Sequence, residues 1–128
     1  MTEALDLEDL LAAAEAALGR RPEIRDVGLL EAALARTHAS VFGEEAYPGL
    51  DAKAAALLHS LVTGHALVDG NKRLGWVGCR LFYRMNGADL RMPADDAFGL
   101  VVAIADGSLR DVPAIAERLK PWVVVSGG

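Results

Sequence analysis

The sequence predicts a single all-α domain, a compact bundle of about six helices, and three observations lead to this fold class. The chain has 128 residues, a length that suits one domain. Its residues are 52% hydrophobic, and Ala and Leu, the strongest helix formers, dominate that fraction. Apolar residues recur every three or four positions between Gly and Pro, and no segment shows the strong alternation of a strand. The domain is expected to span residues 1–128, with a core at about 5–122 and a frayed tail at 123–128.

The first two helices are predicted from their caps and their apolar spacing. The first covers residues 6–18, with Asp6 as its N-cap and Gly19 at its end. Asp26 is expected to cap the second helix. Residues 37–49, which contain several Gly and Pro residues, are predicted to be irregular. A connection of that length in a compact domain often carries function, so it is either a binding segment or an ordinary surface loop.

The remaining helices are predicted in the same way. Asp51 is expected to cap a third helix that ends near Gly64, and a fourth helix covers about residues 71–86. Pro93 and Pro113 are placed in the first turns of a fifth and a sixth helix, where proline is tolerated. The third helix carries enough apolar residues to be buried on most of its sides.

Composition excludes several classes of protein. The net charge of −5 argues against direct nucleic-acid binding, which needs a surplus of cations. Cys79 is the single cysteine, so an internal disulfide or a cysteine-based metal cluster is not expected. The first residues do not resemble a signal peptide, and no apolar run approaches the ~20 residues of a membrane span. The expected location is therefore cytoplasmic, with no membrane partner.

The start of the fourth helix has the properties of an anion site. A helix N-terminus offers free backbone N–H groups and the positive end of the helix dipole. Gly70 lets an anion approach the backbone, and Lys72 and Arg73 place two cations in the first turn, where they oppose the dipole. A bound phosphate would offset that cost.

The residues before this helix add a base and a metal ligand. His65 can accept a proton from an attacking hydroxyl, because imidazole titrates near neutral pH. Asp69 can hold Mg²⁺, which binds a carboxylate together with phosphate oxygens. These are the parts of a phosphoryl-transfer site. The same residue types also occur in ordinary turns and caps, and spacing alone leaves the two interpretations about equal.

The string HALVDGNKR at residues 65–73 resembles the signature of the Fic/Doc superfamily, His-x-Phe-x-Asp/Glu-Gly/Ala-Asn-x-Arg. It is most similar to the death-on-curing (Doc) toxin branch, which carries Asn-Lys-Arg at the end of that signature. The similarity extends over about residues 5–122. It includes four further segments, residues 26–36, 53–60, 86–87 and 107–110, the last of which precedes a predicted helix.

The resemblance implies a compact helical bundle that transfers part of a nucleotide to a protein hydroxyl. It implies that His65 is the base and that Asp69 holds Mg²⁺. It also implies that four consecutive residues bind the phosphates: Gly70, Asn71, Lys72 and Arg73. Lys72 and Arg73 are expected to be catalytic as well. Fic adenylyltransferases carry Gly at the position of Lys72. Lysine there implies a Doc-like kinase, which passes the γ-phosphate of ATP to a threonine of elongation factor Tu and so inhibits translation.

The resemblance also implies partners and leaves alternatives. Doc toxins are paired with a small antitoxin, often of the Phd type. Leu67 replaces the signature's Phe, and Leu74 follows Arg73 where Thr is common; neither change removes a catalytic group. One alternative is a nucleotidyltransferase that moves AMP to a protein hydroxyl. The other is a non-catalytic binding protein with the same fold.

Overall fold

A computed structural model describes residues 2–125 as six α-helices with two short antiparallel strand pairs. The prediction of an all-α bundle is confirmed. The helices are α1 (Leu7–Leu18), α2 (Val27–Arg36), α3 (Leu50–Thr63), α4 (Asn71–Met85), α5 (Ala94–Ala105) and α6 (Val112–Leu119). The strands are β1 (Ser40–Val41), β2 (Glu44–Glu45), β3 (Ala88–Leu90) and β4 (Val123–Val125), with a 3₁₀ turn at Lys120–Trp122. No helix within residues 2–125 has both the length and the apolar character needed to cross a bilayer.

Helix α3 is the centre of the bundle. It packs against α2, α4, α5 and α6, and its residues 53–58 are all buried. A helix that is apolar on most of its surface gains stability by burying all of those faces, as the sequence predicts. Four helices therefore surround α3, while α1 packs mainly against α4. The end of α3 and the start of α4 are joined by residues 64–70.

Helices α3 and α4 approach each other closely at a glycine. A Cβ atom added to Gly75 would lie 2.5 Å from Cγ2 of Val62, a separation that no side chain could accept without a shift. Gly78 shows the same crowding, 2.9 Å from Cδ1 of Leu61. This packing fixes the start of α4 beside the end of α3.

Two of the predicted helix caps differ from the structure. Asp6 and Asp9 form the reciprocal capping box of α1, and Gly19 ends that helix with φ 73°, as predicted. Asp26 precedes α2 but makes no side-chain cap bond. Asp51 is not a cap, because α3 already begins at Leu50; its carboxylate instead accepts a 2.7 Å hydrogen bond from the hydroxyl of Tyr83.

The strands correct two further expectations. Residues 37–49 are not irregular throughout: β1 pairs with β2, and the Ala46 N–H donates to the Ala39 carbonyl at 2.9 Å. We call this segment the hairpin. Residues 123–125, expected to fray, form β4 and pair with β3 because their backbone groups find partners there. The rest of the predicted tail, 126–128, lies outside the described residues.

Candidate functional site

The predicted site residues lie together on one cavity of about 960 Å³. The cavity is bounded by the end of α1, the segment between α3 and α4, the start of α4, and α5. We call residues 64–70 the site loop and residues 19–26, between α1 and α2, the connector. All six residues named from the sequence line this cavity: His65, Asp69, Gly70, Asn71, Lys72 and Arg73.

The connector holds the backbone of the site loop in place. Ile24 and Leu67 form an antiparallel bridge, and the Val68 N–H donates to the Glu23 carbonyl at 2.9 Å. The N–H groups of Arg25 and Asp26 both donate to the Ala66 carbonyl, at 2.8 and 3.0 Å. A short stretch of sheet-like pairing therefore fixes the loop without a full strand.

His65 is fixed through its backbone, and its side chain is exposed. Its φ of 53° is in the left-handed region that non-glycine residues seldom adopt. The Arg25 guanidinium donates two hydrogen bonds to the His65 carbonyl, from Nε at 3.0 Å and from Nη2 at 2.5 Å. Surrounding contacts of this kind are what maintain a strained backbone. The imidazole is left free on the cavity wall.

Asn71 closes the site loop onto the first turn of α4. Its Oδ1 accepts from the Leu67 N–H and its Nδ2 donates to the Leu67 carbonyl, both at 3.0 Å. Leu67 is itself buried, so its backbone groups need these partners. With Oδ1 and one hydrogen of Nδ2 bound to Leu67, Asn71 keeps its second amide hydrogen and its backbone N–H as donors for an anion.

The start of α4 keeps the free N–H groups that an anion needs. Gly70 precedes the helix with φ 88°, and no side chain caps the helix. A Cβ at Gly70 would lie 2.9 Å from Cδ2 of Leu18. Both this crowding and the positive φ favour glycine at position 70. Lys72 and Arg73 are exposed on the first turn. The arrangement can bind a phosphate group through backbone donors and two cations.

Asp69 is exposed at the cavity and forms an ion pair with Arg20 of the connector. No cluster of three or more His, Cys, Asp or Glu side chains within residues 2–125 could hold a metal by itself. A lone carboxylate beside an anion site does fit Mg²⁺, which takes one or two carboxylates together with phosphate oxygens.

The other half of the cavity is apolar. Its walls come from α4 and α5 and include Trp76, Phe98, Val101 and Val102. Trp76 packs partly against the core and also lines the cavity, whereas Phe98 is 70% exposed. The cavity therefore has a charged end at the site loop and an apolar end between two helices.

The hairpin is held at its base by two cations. Lys53 is buried, and its Nζ lies 3.0 Å from Oε2 of Glu45 and 2.6 Å from the Tyr47 carbonyl oxygen. Arg36 donates to the Tyr47 hydroxyl at 2.8 Å and lies over the tyrosine ring. At the tip, Phe42 is fully exposed with φ 52°.

Arg36 also reaches α3 at two polar side chains. Its Nη1 lies 3.1 Å from Nδ1 of His59 and 2.7 Å from Oγ of Ser60. Burial and, second, the charge of Arg36 lower the pKa of His59 below its ordinary value. Both effects favour the neutral imidazole, whose Nδ1 can accept a hydrogen bond from Arg36 at the base of the hairpin.

Two arginines of the site were missed in the sequence. Arg20 contacts Asp69 and Arg25 contacts His65, yet both belong to the connector, to which the sequence analysis assigned no functional residue. Their roles depend on contacts with residues more than 35 positions away. The available signal was the density of arginine in the connector, which has Arg20, Arg21 and Arg25 within six residues.

Comparison with known proteins gives two matches. The model of the Fic/DOC family matches residues 4–83, which is more than half of the chain. A protein named "Toxin Doc" from Mycolicibacterium smegmatis (strain ATCC 700084 / mc(2)155) is 53% identical over 95 residues. That alignment covers 74% of this chain and 73% of the relative. The segment matched by the family model, residues 4–83, includes the connector, the site loop and most of α4.

Proposed function

Because the chain belongs to the Fic/DOC family, we propose that it is a Doc-like toxin of a toxin–antitoxin pair, acting as a protein kinase. It would transfer the γ-phosphate of ATP to a hydroxyl of a protein target and so inhibit translation. One observation carries this proposal: a free imidazole, a carboxylate and an uncapped helix start with two cations share one cavity.

Each group of the site has a part in this reaction. His65 accepts the proton of the attacking hydroxyl, whose oxygen bonds to the γ-phosphorus as the bond to the β-phosphate bridging oxygen breaks. The N–H groups at the start of α4, with Lys72 and Arg73, hold the phosphates and stabilise the charge of the transition state. Asp69 would hold Mg²⁺, which supplies neutralisation of phosphate charge when bound.

Lys72 favours kinase chemistry over its nearest alternative. In the family resemblance, glycine at this position accompanies transfer of AMP, and lysine accompanies transfer of the γ-phosphate. Lys72 is exposed at the cavity, where its ammonium can reach a phosphate. Nucleotidyl transfer is the second candidate, and a binding protein without turnover is the third.

The target and the partner are proposed from the same resemblance. A threonine of elongation factor Tu is the proposed target, and a small Phd-type antitoxin is the proposed partner. Both imply action in the cytoplasm. The relative named "Toxin Doc" supports the toxin assignment.

The test is a transfer assay with ATP labelled on either the γ- or the α-phosphate. The purified chain is incubated with Mg²⁺ and elongation factor Tu, and in parallel with bacterial lysate. The matched variants are His65→Ala, in the site, and His38→Ala, an exposed histidine outside the cavity.

The kinase proposal predicts label from the γ position only, lost in His65→Ala and retained in His38→Ala. Label from the α position would identify a nucleotidyltransferase and contradict the role given to Lys72. ATP binding without transfer to either preparation would favour the non-catalytic candidate.

A further inference from the structure

The connector places a cation directly on the carboxylate of the site. Arg20 follows Gly19, which ends α1 in the left-handed conformation and turns the chain toward the cavity. The Arg20 Nη2 donates to Oδ1 of Asp69, and its Nη1 lies 3.4 Å from the Arg21 carbonyl oxygen. Within residues 2–125, Arg20 is the side chain that forms an ion pair with Asp69.

We propose that Arg20 is the resident counter-cation of Asp69 and competes with a divalent cation for that carboxylate. The inference rests on the proposed function in treating Asp69 as the metal ligand. A guanidinium on Oδ1 occupies one of the two carboxylate oxygens that Asp69 would offer to Mg²⁺. The Arg20 guanidinium would also repel a divalent cation bound to the same carboxylate, so the cation binds fully only when Arg20 leaves.

The exposure of this pair makes the contact reversible. The Arg20 side chain is 46% exposed and that of Asp69 is 71% exposed. Ion pairs in water are weak because solvent screens them and both side chains lose freedom. Arg20 therefore weakens cation binding to the nucleotide-free protein by a small factor and does not prevent it.

The other cations near the loop do not share this role. Arg25 is bound to the His65 carbonyl, and Lys72 and Arg73 lie on the first turn of α4. When Arg20 is displaced, its positive charge moves away from Asp69, while Lys72 and Arg73 keep their positions on α4. Occupation of the metal position and release of Arg20 are therefore the same event.

The experiment measures Mn²⁺ binding to the purified full chain without nucleotide, from the electron paramagnetic resonance signal of free Mn²⁺. Arg20→Met removes the contact and keeps most of the side-chain volume. Arg21→Met removes the same charge from the adjacent exposed residue and is the matched control. Both substitutions are repeated in the Asp69→Asn background, and each variant is checked for an unchanged melting temperature.

Arg20→Met is expected to bind Mn²⁺ about two- to five-fold more tightly than Arg21→Met, with the difference lost in Asp69→Asn. Equal affinity of Arg20→Met and Arg21→Met would overturn the proposal while leaving the metal role of Asp69 intact. Mn²⁺ binding that survives Asp69→Asn would instead remove the metal role, and the proposal with it. The phosphate-transfer assay tests the proposed function separately.

Discussion

The site loop and the hairpin are both held by cations from other elements, but they are held in different ways. The site loop is fixed at almost every residue: Arg25 binds the His65 carbonyl, the connector pairs with residues 66–68, and Asn71 closes the end. The hairpin is fixed at its base, where Lys53 and Arg36 bind Glu45 and Tyr47, and its tip is exposed.

This difference fits what each segment would do. A proton transfer depends on sub-ångström placement of the base, so a loop that carries the base benefits from fixation along its length. A segment that meets a large protein can adapt at its tip if its base is secure. Four substitutions test the contrast, two among the residues that hold the site loop and two at the base of the hairpin.

Removal of the two hydrogen bonds from Arg25 to the His65 carbonyl should have the largest effect, a decrease in the rate of the proposed reaction. Arg25→Met leaves the His65 carbonyl without its two donors, so the strained backbone at His65 relaxes and the imidazole moves. We expect kcat for phosphate transfer to fall by about 10- to 100-fold with little change in the KM for ATP. Arg25→Lys should keep part of the activity that Arg25→Met loses. The control Arg21→Met should leave kcat unchanged, because the His65 carbonyl accepts its hydrogen bonds from Arg25 rather than from Arg21. A rise in KM with unchanged kcat would contradict a positioning role.

Loss of the Asn71 side-chain amide should have the second largest effect, a decrease in the free energy of unfolding. Asn71→Ala breaks both hydrogen bonds to Leu67, whose backbone is buried. We expect the free energy of unfolding to fall by about 2 kcal/mol in urea titration. Lys72→Ala, an exposed neighbour on the same turn, should change it by less than about 0.5 kcal/mol. Equal effects of the two variants would mean that the amide clamp contributes nothing.

At the hairpin, removal of the buried ammonium should cost less, because its partner Glu45 is 62% exposed and remains hydrated. Lys53→Met keeps the aliphatic stem and loses the bond to the Tyr47 carbonyl. We expect a loss of about 1–2 kcal/mol in the free energy of unfolding. Lys120→Met breaks the exposed pair with Glu117, which solvent screens, and should lower the free energy of unfolding by less than Lys53→Met does. A larger loss from Lys120→Met would reverse this ranking.

The smallest effect is on pH dependence. The pKa of His59 is lowered by burial and by Arg36, so the unfolded chain takes up the proton at a higher pH than the folded chain. The stability that neutral His59 contributes is present above its ordinary pKa of 6.5 and is lost as pH falls through the lowered value. His59→Gln should flatten the decline of the urea midpoint as pH falls below the ordinary histidine pKa of 6.5, and His38→Gln should not. A steeper decline in His59→Gln would reverse the sign of this linkage.

The sequence predicted the helices and the site residues because their signals are local. The capping box of Asp6 and Asp9 and the apolar spacing of α3 are visible within a few residues. His65 and residues 69–73 lie within nine positions of the chain, so one loop and one helix start bring them to one cavity. Local patterns are therefore enough to find the start of α4 and to predict which of its residues face a common cavity.

The remaining features depend on contacts between distant residues. The hairpin forms from a segment with no alternation of apolar residues, and its base is held by Lys53 and Arg36 from two helices. Asp51 has the composition of a cap, but the hydroxyl of Tyr83 gives it a different role. The partners of Arg20 and Arg25 are equally invisible before the fold brings the connector to the loop.

The bridge between Ile24 and Leu67 also has a consequence for the order of folding. It joins residues more than forty apart, and closing a chain segment of that length costs entropy that only docked helices can offset. Residues 66–68 can therefore acquire their geometry only after α1 and α2 dock on the central helices. The amide protons of Arg25 and Val68 should exchange with solvent only when that docking is undone. Their protection reports assembly of the site without any substrate.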